Sequence, residues 1–149
     1  MMILGLGVDV VEVRRIRAIM ARNREAFCRH VFSPEEQCGA PENAEAAVVY
    51  YAGRWSAKEA VAKSLGTGIG PCCQWKDIEI RRCASGRPAV QLSGRAAETA
   101  ASAGIAHVHV TISHERELAC AAAVAEGTAG KQQPATESRG QPPEQGQDQ

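Results

Sequence analysis

Trp55, Glu59 and Lys63 recur four residues apart in a stretch of strong helix formers, so they share one helix face. Glu before Lys at this spacing is the favourable order for a simple helix ion pair, which stabilises by only about 0.2–0.5 kcal/mol. The loop that follows, Gly66-Thr67-Gly68-Ile69-Gly70, can offer backbone N–H groups to phosphate oxygens. No Lys-Ser or Lys-Thr follows it, so it is not a Walker loop. Asp9 closes the apolar run Gly5-Leu6-Gly7-Val8. A carboxylate there must meet a cation, a donor or solvent, or else cap a helix beginning near Val10. The Gly-x-Gly before it lacks the third glycine of a dinucleotide fingerprint. His114 stands at the end of an alternating strand, where a structural role competes with a chemical one. His107 and His109 share the non-core face of that strand and are read as surface or interface residues.

These residues need elements to hold them. Residues 2–10 read as a short buried strand. Val10, Val13, Ile16, Ile19 and Met20 then recur at helical spacing, and a second basic helical piece carries Phe27 and Val31. Ser33-Pro34-Glu35-Glu36 is a helix start, with Ser33 as cap, Pro34 at the first position and Glu36 completing a capping box. Residues 44–65 form one long helix. Residues 76–82 and 88–92 pair across the Ser85-Gly86-Arg87 turn, and Ser93 opens a short helix to about residue 103. Residues 107–113 alternate, with Val108, Val110 and Ile112 facing a core, and 118–124 form a closing strand. The expected fold is α+β, an antiparallel sheet packed by one long helix and shorter helices, over residues 1–126. The segment 127–149, rich in Gln, Pro, Gly, Thr and Glu, is expected to be a disordered tail.

Composition narrows the partners. The 149 residues are 44% hydrophobic and 4% aromatic with zero net charge, which suits one ordinary domain with an aliphatic core. No run approaches the ~20 apolar residues of a membrane-spanning helix. The six cysteines include no Cys-x-x-Cys pair, so a cytoplasmic protein with reduced thiols, most of them core fillers, is expected. Charge is concentrated locally: Arg14, Arg15, Arg17, Arg22, Arg24 and Arg29 crowd a stretch holding only Glu12 and Glu25. That stretch is either a solvated face or a surface for an acidic partner. Nucleic acid is disfavoured, because neither a basic net charge nor flanking aromatics accompany it.

In order along the chain, several blocks resemble the holo-[acyl-carrier-protein] synthases, the short bacterial phosphopantetheinyl transferases. They are Gly5-Leu6-Gly7-Val8-Asp9-Val10-Val11-Glu12, Phe32-Ser33-Pro34-Glu35-Glu36, Arg54-Trp55-Ser56-Ala57-Lys58-Glu59 with Lys63 and the 66–70 loop, Gly86-Arg87-Pro88, and Ile112-Ser113-His114-Glu115. The resemblance implies the 4′-phosphopantetheinyl transferase fold. It also implies transfer of the phosphopantetheine arm of coenzyme A to a serine of apo acyl carrier protein, releasing 3′,5′-ADP, for fatty acid biosynthesis. It assigns Asp9 and Glu59 as ligands of a Mg²⁺ ion, a cation that favours one or two carboxylates plus phosphate and water oxygens. Lys63 would assist the leaving group. The base stays open among Asp9, Glu59 and a water on the metal. Arg54 and His114 would meet phosphates of the coenzyme, while Gly66, Thr67, Gly68 and Pro88 hold its adenosine end. Arg15, Ile16, Ile19 and Arg22 would dock the acidic carrier protein. The family is a homotrimer with nucleotide pockets between subunits. The chain departs from its relatives in the loop 39–45, which has Glu42 and Glu45 but no lysine or arginine.

Overall fold

The computed structural model describes residues 1–128, so the expected tail lies outside the described residues except for Gly127 and Thr128. The chain runs β1 (Met2–Glu12), α1 (Val13–Val31), α2 (Pro34–Cys38), α3 (Ala44–Ser64), a 3₁₀ turn (Trp75–Asp77), β2 (Ile78–Arg82), β3 (Pro88–Leu92), α4 (Gly94–Ser102), β4 (Ile105–His114) and β5 (Leu118–Gly127). An antiparallel sheet of order β1-β5-β4 and a separate β2-β3 hairpin make this α+β, as expected. The strand at 107–113 is an outer strand of the larger sheet. The closing strand, β5, is its centre, and its alanines keep that centre thin beneath α3.

Two residues without side chains set the packing. A Cβ on Gly7 would lie 1.8 Å from the carbonyl oxygen of Ala60, and one on Gly5 would lie 1.9 Å from that of Ser64. The α3 backbone therefore rests directly on β1. On the opposite flank Gly53 performs the same service, with Ile112 of β4 only 3.0 Å from where its Cβ would be. The core follows in two clusters, one of Val13, Ile16, Val31, Phe32 and Tyr51, the other of Val61, Ile78, Ile80 and the β5 alanines.

Several expectations need correction. Residues 2–10 do not form a buried strand: the strand's alternation leaves Leu6, Val8 and Val10 62–67% exposed. Asp9 lies inside β1 rather than at its end, and α1 starts at Val13 with Glu12 before it, so Asp9 caps nothing. The two basic helical pieces are present as expected, meeting within α1 at Asn23, whose backbone is not helical (φ −160°, ψ 86°). There the Asn23 side chain accepts the Ala26 N–H and restarts the helix. The capping box at Ser33 and Glu36 forms as expected. Of the cysteines, only Cys28 and Cys73 are buried; Cys38, Cys72 and Cys83 are exposed.

Sequence reasoning missed a buried charge pair. Glu36 and Lys58 have no exposed side-chain surface and meet at 2.8 Å. Lys58 also donates to the carbonyls of Val31 (2.6 Å) and Trp75 (3.1 Å). Glu36 accepts from the Ser33 and Ile80 backbone N–H groups. Burial pulls the Lys58 pKa down, and Glu36 opposes that shift. The pair ties α1, α2, α3, β2 and the 3₁₀ turn together, and removing one partner of such a pair typically costs about 3–5 kcal/mol.

Gly7→Ala should lower the thermal midpoint by roughly 8 °C or more, taking overpacking at about 2–3 kcal/mol and ~4 °C per kcal/mol. Gly70→Ala, which meets open space at ordinary φ, should shift it little. Equal midpoints for the two variants would contradict the close approach.

Candidate functional site

Gly5, Gly7 and Asp9 alternate onto the same face of β1, so the contact that seats α3 also delivers the Asp9 carboxylate beside it. Lys63 reaches back from α3 and donates to the Val8 carbonyl (3.0 Å) and to Asp9 Oδ1 (3.1 Å). The simple helix ion pair that the Glu59–Lys63 spacing allows does not form; the Lys63 ammonium bridges to β1 instead. Asp9 is 12% exposed at its side chain, and its Oδ2 is buried with no partner among the described residues. A buried carboxylate oxygen left alone is costly, so this atom calls for a donor or a cation.

Glu59 stands close enough to feel that charge. Burial pushes its pKa up, the Asp9 carboxylate pushes it further, and Lys63 and Arg15 hold it back. Two neighbouring carboxylates, Glu59 with its proton affinity raised by Asp9 and Asp9 with an unpartnered buried oxygen, form a donor set that fits a hard divalent cation. No group of three or more His, Cys, Asp and Glu assembles among the described residues. An ion held here would need further oxygens from substrate or solvent, as Mg²⁺ prefers.

The other expected coenzyme residues lie elsewhere in the same protomer. Arg54 is five residues before Glu59, hence about 140° around the helix from it. Together with Pro88 of β3 and His114 of β4 it lines a cavity of about 650 Å³ that none of Asp9, Glu59 or Lys63 touches. Asp9 pairs with Ala121 of β5, and β4 lies on β5's far side, so β1 and β4 are separated by about 10 Å. Arg54 is shaped by its surroundings. Its guanidinium lies 3.8 Å from the Tyr50 ring centroid, and the Tyr50 hydroxyl donates to the Glu36 carbonyl at 2.6 Å. Burial lowers the Arg54 pKa, and its Nε has no partner among the described residues.

The glycine loop differs from expectation. The N–H groups of Gly66, Thr67, Gly68 and Gly70 already bond to the carbonyls of Lys63, Ala62, Ala62 and Cys73. Gly66 and Gly68 have positive φ, as residues closing a helix C-terminus commonly do. The loop is thus the cap of α3, whose carbonyl end repels anions, and not a phosphate nest. Ile69 and Gly70 line a different cavity, beside Arg29, His30, Trp75 and Lys76.

On α1, Ile16 is fully buried in the core and cannot meet a partner; its place in the apolar stripe of the helix explains why. Ile19 is half-buried against the same core. Arg15 and Arg22 are exposed, and neither has a carboxylate partner among the described residues, whereas Arg14, Arg17 and Arg29 pair with Glu12, Glu45 and Glu25. Arg15 stacks over Trp55 at 5.1 Å, and Trp55 packs against Trp75, giving the basic face an aromatic floor.

Comparison with known proteins gives this geometry its family. Residues 5–123 match the profile of the 4′-phosphopantetheinyl transferase superfamily. The holo-[acyl-carrier-protein] synthase of Edwardsiella ictaluri is 44% identical over 127 residues, covering 85% of this chain and 100% of that one. The crystal structure of the Neisseria meningitidis holo-[acyl-carrier-protein] synthase superposes with a TM-score of 0.76 at 34% identity, covering 84% of this chain and 99% of that one. That of the Helicobacter pylori enzyme, in complex with coenzyme A, gives 0.72 at 28% identity, covering 81% and 99%. On these similarities the chain belongs to the holo-[acyl-carrier-protein] synthases of the 4′-phosphopantetheinyl transferase superfamily.

Proposed function

We propose that this chain transfers the 4′-phosphopantetheine group of coenzyme A to a serine of apo acyl carrier protein, releasing 3′,5′-ADP, in the service of fatty acid biosynthesis. The reading rests on one arrangement in particular: Asp9 with its unpartnered Oδ2, Glu59 raised by that charge, and Lys63 bridging to Asp9. Asp9 and Glu59 are the residues that would hold a Mg²⁺ ion. When bound, that ion supplies positive charge to the coenzyme pyrophosphate.

The chain's own groups account for the rest. The carrier serine oxygen forms a bond to the phosphorus next to the pantetheine, and the bond from that phosphorus to the ADP oxygen breaks. Lys63, half exposed beside the carboxylates, donates to phosphate oxygens and favours departure of the ADP. The serine proton passes to the carboxylate pair of Asp9 and Glu59. Arg15 and Arg22, exposed and without an ion pair among the described residues, meet the acidic carrier, Arg15 from its place over Trp55.

Two observations favour a homotrimer with the site shared between copies. The carboxylates and Arg54, Pro88 and His114 occupy separate parts of one protomer. Leu6, Val8 and Val10, each more than 60% exposed, form an apolar stripe on the sheet face away from α3. A partner copy seated on that stripe would bring its own Arg54 cavity towards Asp9. Sedimentation of the full chain as three copies supports this, and a single-copy mass contradicts it.

Glu59→Gln tests the site through two readouts. Transfer, measured as the mass gain of apo carrier protein incubated with coenzyme A and Mg²⁺, should fall by ~100-fold or more. Arg15→Glu with Arg22→Glu should instead raise the KM for carrier more than that for coenzyme A in the same assay. Without divalent ions the second readout concerns stability. A carboxyl whose folded pKa is raised opposes folding above that pKa, and the penalty fades as pH falls through it towards the unfolded value. Glu59→Gln should therefore melt higher than wild type at pH 7, and the gap should close in acid. Full transfer activity, or a gap that widens in acid, would contradict the assignment.

A further inference from the structure

The sheet face turned away from α3 is apolar on β1 but ends on β4 in two histidines. Residues directly opposite one another in an antiparallel sheet share a face. Leu6 pairs with Val124, and Val124 with His109; Ile3, 65% exposed, pairs with Glu126, and Glu126 with His107. A copy seated on the β1 stripe therefore lies beside the edge that carries both imidazoles, whose rings are 6.5 Å apart. The two are not equally provided for. Glu126 Oε1 lies 2.9 Å from His109 Nε2. That bond above all, with smaller help from His107 and the N-terminal ammonium, holds the Glu126 carboxyl below the usual carboxylate range. His107 has no acid partner among the described residues. Three elements face the pair with titratable or charged groups: β1 with the N-terminal ammonium, β5 with Glu126, and the β2-β3 hairpin with Cys83 and Arg87. From α4 only Ala100 reaches the groove that the histidines line. One carboxylate thus stands among two imidazoles, an ammonium and a guanidinium. A neutral imidazole is covered by a partner at modest cost, whereas a charged one without an acid is not. Closed symmetry repeats that cost in every copy.

We infer that His107 makes the seam between copies sensitive to acid: neutral, it lets a second copy close on the Ile3–Leu6 end of the stripe, and protonated it loosens the assembly and the site shared across it. The inference rests on the homotrimer reading above and adds the group that regulates it. Its sign follows from linkage. A group that takes a proton less readily in the assembly than in the separate copy favours separation as protons are supplied. Association therefore weakens as pH falls through the range in which histidines gain charge. His109 contributes less, because Glu126 meets its charge within the same copy.

Sedimentation of the full chain over a concentration series, at one ionic strength and at about pH 8 and about pH 5.5, tests this. The wild-type concentration at half assembly should rise about tenfold or more in acid, with the helical circular dichroism retained. His107→Gln keeps a polar side chain but cannot gain charge, and its half-assembly concentration should stay nearly constant between the two conditions. His30→Gln, which removes an imidazole from α1 beside a different cavity, should respond to acid as the wild type does. Wild-type assembly that is unchanged in acid overturns the inference alone. So does a His107→Gln variant that loosens as much as the wild type, with or without loss of helical signal, or a His30→Gln variant that no longer responds. A single-copy mass at about pH 8 at every concentration overturns the homotrimer reading and this inference with it.

Discussion

The structure depends on a close crossing of backbone on backbone, α3 over β1, made possible because Gly5 and Gly7 have nothing to place between them. Any side chain at these positions would lift the helix off the strand. Asp9 continues the same face of β1, so the separation that the glycines permit is also the one that sets the carboxylate against Glu59 and Lys63. Packing and chemistry are in this sense one constraint. The thin alanine-rich β5 extends it, since bulkier residues there would tilt α3 away from the sheet.

Helix α3 serves two sites through its circumference. Glu59 and Lys63 look towards β1, whereas Arg54 looks towards β4 and the β2-β3 hairpin. Each flank is electrostatically unfinished. On one, a buried carboxylate oxygen lacks a donor and a neighbouring acid holds its proton more tightly; on the other, Arg54, Arg82 and Arg116 line one cavity with Glu115 as the single acid in its lining, and the Arg54 Nε is buried without a partner among the described residues. The buried Glu36–Lys58 pair, by contrast, has its bonds filled from four elements. It holds the frame against which Tyr50 and Arg54 are set.

Local signals were legible in the sequence where the physics is local. The capping box at Ser33, the long helix from Ala44, the hairpin and the alternation around Val108 all follow from short-range rules. The carboxylates were legible only as a pair of oddities, and the resemblance to a family joined them. What escaped was long-range. Nothing near Lys63 in sequence announces that it would turn to Asp9 and Val8, more than fifty residues away. The glycine loop misled because composition does not say which N–H groups the preceding helix has already taken. Ile16 misled because a helix offering arginines to a partner must bury the opposite stripe. Arg82 and Arg116 carried no signal at all until β2 and the β4–β5 turn were brought to one cavity.

The central claim is that Asp9 and Glu59 grip one divalent cation together. Electron paramagnetic resonance of Mn²⁺, titrated into the full chain with coenzyme A present, tests it most directly by counting free against bound ion. One tightly held Mn²⁺ per chain, lost in both Asp9→Asn and Glu59→Gln, is the result expected from this geometry. Undiminished binding in either variant would mean that the two acids do not share a metal.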